Sequence, residues 1–156
     1  MKLQRRSVLK KLMLSAVSVT GLGFLANAKA GGISEDGEKE AMDIVQGQNG
    51  PLFSGVTKRK GFVFLSGIGA HFEGDITSHT THVLEELAKK LKEAGSSMDK
   101  VLKVSVFLND IADYDAMNKA YSGHFGGTPP VRTTVAVAKG GVPGNSLVEI
   151  DCIAYT

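Results

Sequence analysis

Cysteine is nearly absent from this chain of 156 residues, which contains only Cys152. A single cysteine cannot form an internal disulfide, and it cannot build a cysteine-rich metal site. Hydrophobic residues make up 42% of the chain and charged residues 22%, which is the composition of a globular protein. The length suits one domain of ordinary size. Cys152 lies on the apolar side of a predicted strand, so we expect an inert core thiol.

An excess of basic charge is also lacking once the first 30 residues are set aside. The chain has 18 basic and 16 acidic residues, and residues 1–30 hold six of the basic residues and no acid. Residues 31–156 therefore carry 12 basic residues against 16 acidic ones, a net charge of −4. A mildly acidic domain without a basic, aromatic-lined groove is a poor candidate for binding nucleic acid.

No apolar run near the N-terminus is long enough to cross a membrane. Residues 12–26 form an apolar run of 15 residues diluted by Ser, Thr and Gly, after a basic head and before the small-x-small sequence Ala28-Lys29-Ala30. Residues 4–10, QRRSVLK, resemble the twin-arginine motif. This layout predicts that residues 1–30 are an export signal of the twin-arginine type. The protein is then periplasmic or otherwise exported, and not bound to the membrane after signal removal. An ordinary secretory signal with an incidental arginine pair is the alternative.

Residues 31–50 are rich in Gly, Glu, Asp, Gln and Lys, and they are predicted to be a flexible linker. The domain then extends over residues 51–156. Alternation and β-branched runs predict five strands, and apolar residues at helical spacing predict two helices. The strands are Phe53–Thr57, Phe62–Leu65, Val101–Leu108, Val131–Val137 and Leu147–Tyr155, and the helices are Ile76–Ala94, capped by Asp75, and Tyr114–Phe125.

The order of these elements predicts an α+β fold in which two helices cover one face of a mixed sheet. The other face is expected to carry Arg132, Glu149 and Asp151 with valine and threonine side chains. Such a face needs a cover, and a partner subunit is the simplest one.

Arg132 is a permanent cation on a strand of Val, Thr and Ala that starts after Pro129-Pro130. Its planar fork of donors matches a carboxylate, which makes a small acid the candidate ligand. A solvent-facing arginine on the open side of the sheet is the alternative. Asn118, on the apolar face of the second helix, needs a polar partner.

Glu149 alternates with apolar residues on the last strand, and it is a candidate acid–base group. The alternative is that it lies on the wet face of an edge strand. Four histidines, at positions 71, 79, 82 and 124, invite a metal interpretation, but no carboxylate–histidine signature accompanies them. No metal site is predicted.

Seven stretches in the same order resemble the RidA/YjgF family from about residue 51 onward. They are Phe53-Ser54, Phe64–Gly67, Val83-Leu84, Val101–Asp110, Met117–Tyr121, Pro130–Arg132 and Val148–Ala154. The resemblance implies a chorismate-mutase-like α+β domain, with a mixed sheet of five to six strands and two helices on one face. It also implies a homotrimer whose sites lie between subunits, with no cofactor.

The activity that the resemblance implies is hydrolysis of 2-imino acids, or their enamine tautomers, to 2-keto acids and ammonia. Arg132 then binds the substrate carboxylate and Glu149 positions water. The substrate-binding positions are Phe53, Ser66, Gly67, Asn118 and Thr134. Two departures stand out: Phe53 replaces a tyrosine, and Ile68 replaces a glutamine. An exported trimer that binds a small carboxylate without catalysis is the alternative function.

Overall fold

The structure is a computed structural model that describes residues 37–156. Within them, six strands form one mixed sheet and two helices pack against it, as the predicted α+β fold requires. The strands are β1 (Glu40–Gly47), β2 (Gly50–Arg59), β3 (Phe62–Gly69), β4 (Val101–Leu108), β5 (Val131–Ala136) and β6 (Val148–Tyr155), and the helices are α1 (Ile76–Glu93) and α2 (Tyr114–Tyr121). The predicted export signal, residues 1–30, lies outside the described part.

The sheet has the order β1-β2-β3-β6-β4-β5, in which β4 and β5 are parallel and every other pair is antiparallel. Helix α1 packs on α2 and lies against β3 and β6. The apolar core between helices and sheet therefore covers one sheet face, as predicted.

The linker predicted over residues 31–50 is corrected by β1, which starts at Glu40 and pairs with β2 along its length. Asp43 of β1 also forms an ion pair with Lys90 of α1 at 2.5 Å. An edge strand that is mostly exposed needs few apolar residues, which explains why composition alone indicated a linker. Residues 31–36 of the predicted linker lie outside the described part of the chain.

Helix α1 begins where the sequence predicts. The Asp75 side chain accepts a hydrogen bond from the backbone N–H of Ser78 at 2.8 Å, and this bond lowers the pKa of Asp75. The helix ends before Gly95, whose φ of +81° favours glycine. Its inner face is fully buried and consists of Val83, Leu84, Leu87 and Leu91. No helix within residues 37–156 is long and apolar enough to cross a membrane.

Helix α2 is shorter than predicted. It ends at Tyr121 because Ser122 has extended backbone angles, and Gly123 follows with a φ of +86°. Phe125 lies beyond the end of the helix, although its spacing predicts the same helix face as Tyr121. It is nevertheless buried and packs on Tyr121 with ring centroids 4.9 Å apart. The early end of α2 opens a cavity beside β5.

The sheet face away from the helices carries exposed aromatic side chains. Phe62 and Phe64 of β3 stand opposite Tyr155 and Ile153 of β6, and the three aromatic residues are each more than 40% exposed. An uncovered face is what the sequence predicts, but these exposed aromatic side chains were not among the residues expected on it.

Candidate functional site

Arg132 lies on β5, the edge strand that pairs in parallel with β4. It stands opposite Val104, and Thr134 stands opposite Val106; both valines are fully buried in the core under the helices. Opposite side chains of neighbouring strands lie on the same face of a sheet. The expectation that Arg132 shares the open face with Glu149 is therefore wrong. The parallel register turns Arg132 to the helix side, and its edge position keeps the cation partly exposed.

The guanidinium of Arg132 is held by α2. Its Nη2 donates a hydrogen bond to Asn118 Oδ1 at 2.8 Å. Its Cζ lies 4.6 Å from the ring centroid of Tyr121 and 6.0 Å from that of Tyr114, which are cation–π distances. Within residues 37–156, the ion pairs join other residues and no carboxylate neutralises this cation. The positive charge is oriented and available for an anion.

A cavity of about 550 Å³ opens beside the guanidinium. The cavity is lined by Arg132, Asn118 and Tyr121 together with six residues of the following loop, which are Ser122, Gly123, Phe125, Gly126, Pro129 and Pro130. A cavity of this size accommodates a small organic acid. Arg132 and Asn118, both predicted site residues, are thus brought together at one cavity.

Two buried hydroxyl groups near the guanidinium have no hydrogen bond of good geometry within residues 37–156. They are the phenolic oxygen of Tyr121 and Oγ1 of Thr134, which lies two residues from Arg132 on the same face of β5. Burial raises the pKa of Tyr121 to about 12, although the charge of Arg132 and a weak hydrogen-bonding contact with its guanidinium act in the opposite direction. The phenol therefore remains a neutral hydrogen-bond donor at physiological pH.

Glu149 lies on the other face of the sheet. It stands opposite Phe107 of β4 and Gly69 of β3, and its neighbours Val148 and Ile150 are fully buried on the helix side. Alternation along the strand turns Glu149 to the open face, as the sequence predicts. There it lines a cavity of about 130 Å³.

Gly67 leaves room for the Glu149 carboxylate because it has no side chain. A bulge between Leu65 and Ile68 of β3 brings the Gly67 backbone against the Glu149 carboxylate. A Cβ atom on Gly67 would overlap Glu149 Oε1 and would lie 2.6 Å from Cδ. Only glycine at position 67 permits the observed position of the carboxylate.

Phe53, Ser66 and Gly67 line a third cavity, of about 360 Å³. The imidazoles of His71 and His82 also line it. The predicted residues Phe53, Ser66, Gly67 and Glu149 thus form a second group, joined through Gly67. We call this the glutamate group, and Arg132, Asn118, Tyr121 and Thr134 the arginine group.

The two groups do not meet within one chain. Arg132 and Glu149 flank β4 on its two sides and are offset by three residues along that strand. At about 3.3 Å per residue and 4.8 Å per strand, their Cα atoms are about 14 Å apart. Their side chains also leave opposite faces of the sheet. One small ligand cannot touch both side chains of the same chain.

The histidines and the cysteine do not form a metal site. His79 is buried, and its ring nitrogens contact Phe72 O at 3.0 Å and the backbone N–H of Leu147 at 3.1 Å, so it joins α1 to two loops. Within residues 37–156, no cluster of His, Cys, Asp and Glu could hold a metal ion. Burial raises the pKa of Cys152 to about 12, in agreement with the inert core thiol expected.

Tyr121 is the site residue that sequence reasoning missed. Its spacing predicted only a buried helix face, and that prediction is confirmed by its 8% exposure. The signal that could have found it is its position three residues after Asn118, which places both side chains on one side of α2.

Comparison with known proteins identifies the relatives of this chain. A family model described as Endoribonuclease L-PSP matches residues 48–156. A RutC family protein of Pyrococcus horikoshii is 37% identical over 124 residues, which are 72% of this chain and 97% of that protein. The chloroplastic Reactive Intermediate Deaminase A of Arabidopsis thaliana is 33% identical over 109 residues, 65% of this chain and 57% of that protein.

Solved structures agree with these matches. The crystal structure of the Rid family protein YyfA from Yersinia pestis, a protein of unknown function, superposes with a TM-score of 0.67 at 28% identity. The match covers 76% of this chain and 100% of that one. The chain therefore belongs to the L-PSP family, that of the RidA/YjgF proteins.

Proposed function

We propose that this protein hydrolyses 2-imino acids, or their enamine tautomers, to 2-keto acids and ammonia. The observation that carries the proposal is the Arg132 guanidinium, which Asn118 orients at a cavity and which no carboxylate of residues 37–156 neutralises. Such a cation suits a small carboxylate substrate. The relative named Reactive Intermediate Deaminase A supports the choice of reaction.

Because Arg132 and Glu149 of one chain lie on opposite sheet faces, we propose that each site combines two chains. The arginine group of one subunit would face the glutamate group of its neighbour. The exposed aromatic face supports such sites between subunits, because the homotrimer that we propose would bury it. The proposed location, periplasmic or otherwise exported, rests on residues 1–30.

The proposed mechanism uses positioning and one acid–base group. Arg132 binds the carboxylate, and Glu149 accepts a proton from water as the water oxygen attacks the imine carbon. Glu149 passes this proton to the imine nitrogen, and the resulting carbinolamine loses ammonia as its hydroxyl proton moves through Glu149 to the departing nitrogen. One water is consumed, and a 2-keto acid and one ammonia are formed. These steps need only the chain's own residues, and we propose no metal or organic cofactor.

The second candidate is a protein that binds a small carboxylate without turning it over. Phe53 favours it, because the phenylalanine in the glutamate group has no hydroxyl where the resemblance places a tyrosine. Ribonuclease activity is not proposed, since the net charge of −4 over residues 31–156 disfavours a phosphate backbone.

The test is hydrolysis by the purified protein of a 2-imino acid generated in situ by an amino-acid oxidase. Imine disappearance is followed for the wild type, Arg132→Ala and Glu149→Gln. We expect each variant to lose roughly 10²–10⁴-fold in kcat/KM. A wild-type protein that binds 2-oxobutanoate and leaves the imine unchanged would instead support the binding protein, and a fully active Arg132→Ala variant would refute both functions at this site.

A further inference from the structure

Tyr121 occupies a place beside Arg132 that the proposed mechanism does not use. Its ring centroid is 4.6 Å from the Arg132 Cζ, and the ring itself is braced by Phe125, whose centroid is 4.9 Å away. The aromatic face and the Asn118 oxygen together hold the guanidinium from two directions. The orientation of the cation therefore depends on Tyr121 as well as on Asn118.

The hydroxyl of Tyr121 needs an additional explanation. The residue is only 8% exposed and lines the 550 Å³ cavity, and its buried oxygen has no hydrogen bond of good geometry within residues 37–156, only a weak contact with the Arg132 guanidinium. A buried hydroxyl that is held only weakly destabilises the folded state, because it has lost its hydrogen bonds to water without a full replacement. A ligand in the cavity is one group that can supply the missing partner.

The neighbouring charge indicates what that partner is. Arg132 attracts an anion to the cavity, and the phenol is a neutral donor rather than a phenolate. Asn118 Oδ1 takes one of the five guanidinium N–H donors and the phenol contacts the guanidinium, which leaves further N–H groups for a carboxylate. A carboxylate has lone pairs for more donors than the guanidinium alone provides.

We propose that Tyr121 is a further substrate-binding residue, whose ring fixes the plane of the Arg132 guanidinium and whose hydroxyl donates a hydrogen bond to the bound carboxylate. This inference rests on the proposed function only in that a carboxylate binds at Arg132. It holds equally for an enzyme and for a binding protein.

The experiment compares Tyr121→Phe, which removes only the hydroxyl, with Tyr121→Leu, which removes hydroxyl and ring. Tyr155→Phe is the matched control, because Tyr155 lines none of the cavities of the two groups and the variant keeps its ring on the aromatic face. Binding of 2-oxobutanoate and of its uncharged amide is measured by calorimetry, and kcat and KM are measured for imine hydrolysis.

We expect Tyr121→Phe to weaken 2-oxobutanoate binding roughly ten- to a hundredfold, the effect of a hydrogen bond to a charged group. Amide binding should change little, and KM should rise more than kcat falls, because the carboxylate contact is the same in ground and transition states. Tyr121→Leu should weaken binding further and lower kcat as well, since the guanidinium loses its orientation.

The outcomes separate this proposal from the proposed function. Tyr121→Phe with wild-type affinity for 2-oxobutanoate would overturn the role of Tyr121 and leave the reaction untouched. Wild type that binds 2-oxobutanoate but hydrolyses no imine would reject the enzyme, while the Tyr121→Phe affinity still decides the role of Tyr121. A wild type that binds no 2-oxobutanoate overturns both. A clearly lower melting temperature in Tyr121→Phe would also overturn the role of Tyr121, because the hydroxyl would then be bonded within the protein.

Discussion

Arg132 and Glu149 of one chain lie on opposite faces of the same sheet. The guanidinium is on the helix side, bonded to Asn118, and the carboxylate is on the open side, against Gly67. The layers that pack on the two faces of a sheet each lie about 10 Å from it, so one small acid cannot contact side chains on both faces. If both residues act on one substrate, they come from two different chains.

The first prediction tests this directly by complementation. Arg132→Ala and Glu149→Gln are each expected to be inactive alone. In mixed oligomers, a site regains both groups when its arginine comes from one variant and its glutamate from the other, which random 1:1 mixing achieves at about one site in four. Coexpressed and differently tagged variants should therefore recover about a quarter of wild-type activity.

The matched control is a 1:1 mixture of wild type with the double variant. If each site combines two subunits, about a quarter of the sites in this mixture are intact. If each site lies within one chain, about half of them are intact. No recovery from the two single variants, together with half activity in the control, would place Arg132 and Glu149 in one chain and contradict the structure.

Sequence patterns were sufficient for most of the fold. Alternation along β6 put Val148 and Ile150 in the core and Glu149 on the other face, and the Asp75 cap fixed the start of α1. These features depend on local periodicity and capping, which the sequence carries directly. The family resemblance then indicated which polar residues to examine.

The missed features depend on pairing between distant segments. The face of Arg132 follows from the register of β5 on β4, and nothing within residues 131–136 encodes that register. The strand β1 was missed because it is an exposed edge with a polar composition. The weakly held, buried hydroxyl of Tyr121 becomes apparent only when α2 is brought against Arg132 of β5.

The second prediction concerns Cys152. Burial raises its thiol pKa from 9.0 to about 12, so the folded protein keeps the thiol neutral where an unfolded chain would ionise it. At pH 8, a thiol with the higher pKa has about a thousandfold less thiolate, and thiolate is the reactive form. Native protein should therefore react with iodoacetamide at least that much more slowly than protein unfolded in guanidinium.

The same shift fixes the direction of a pH effect. The raised pKa of Cys152 contributes its full stabilisation below about pH 9. This stabilisation is lost as the pH rises from about 9 to about 12. Cys152→Ala should therefore show a smaller loss of melting temperature over that range than the wild type. Rapid native alkylation at pH 8 would show that Cys152 is not the inert core residue that its burial indicates.

The third prediction replaces Asn118 by aspartate. The introduced carboxylate would lie where Asn118 Oδ1 now accepts from Arg132, at about the same 2.8 Å, and would pair with the cation. Because this carboxylate competes with the ligand, we expect Asn118→Asp to weaken 2-oxobutanoate binding more than Asn118→Ala, which loses one hydrogen bond only. The Ala variant should lose roughly tenfold and the Asp variant a hundredfold or more.

Calorimetry on both variants, with melting temperatures as the check on folding, measures the difference. Asn118→Asp should be folded, since the substitution changes no volume in the core. Equal affinities in the two variants would mean that the Arg132 guanidinium is not where the carboxylate binds.

The fourth prediction uses Gly67 to move Glu149 without changing it. A methyl group at Gly67 overlaps the side-chain atoms of Glu149 and no other group as closely, so Gly67→Ala forces the carboxylate aside. Activity should fall as far as in Glu149→Gln, roughly 10²-fold or more, because a displaced base no longer reaches the water. The affinity for 2-oxobutanoate should change less, since Arg132 is untouched.

Gly127→Ala is the control, because a Cβ atom there meets nothing within 4 Å and its backbone needs no glycine. Both variants should melt close to the wild type, since Glu149 is a flexible, partly exposed side chain that can yield. Comparison of Gly67→Ala with Glu149→Gln separates the effect of moving the carboxylate from the effect of removing it. A Gly67→Ala protein with full imine hydrolysis would show that Glu149 does not act from the place beside Gly67, and the water would then need a different base in the glutamate group.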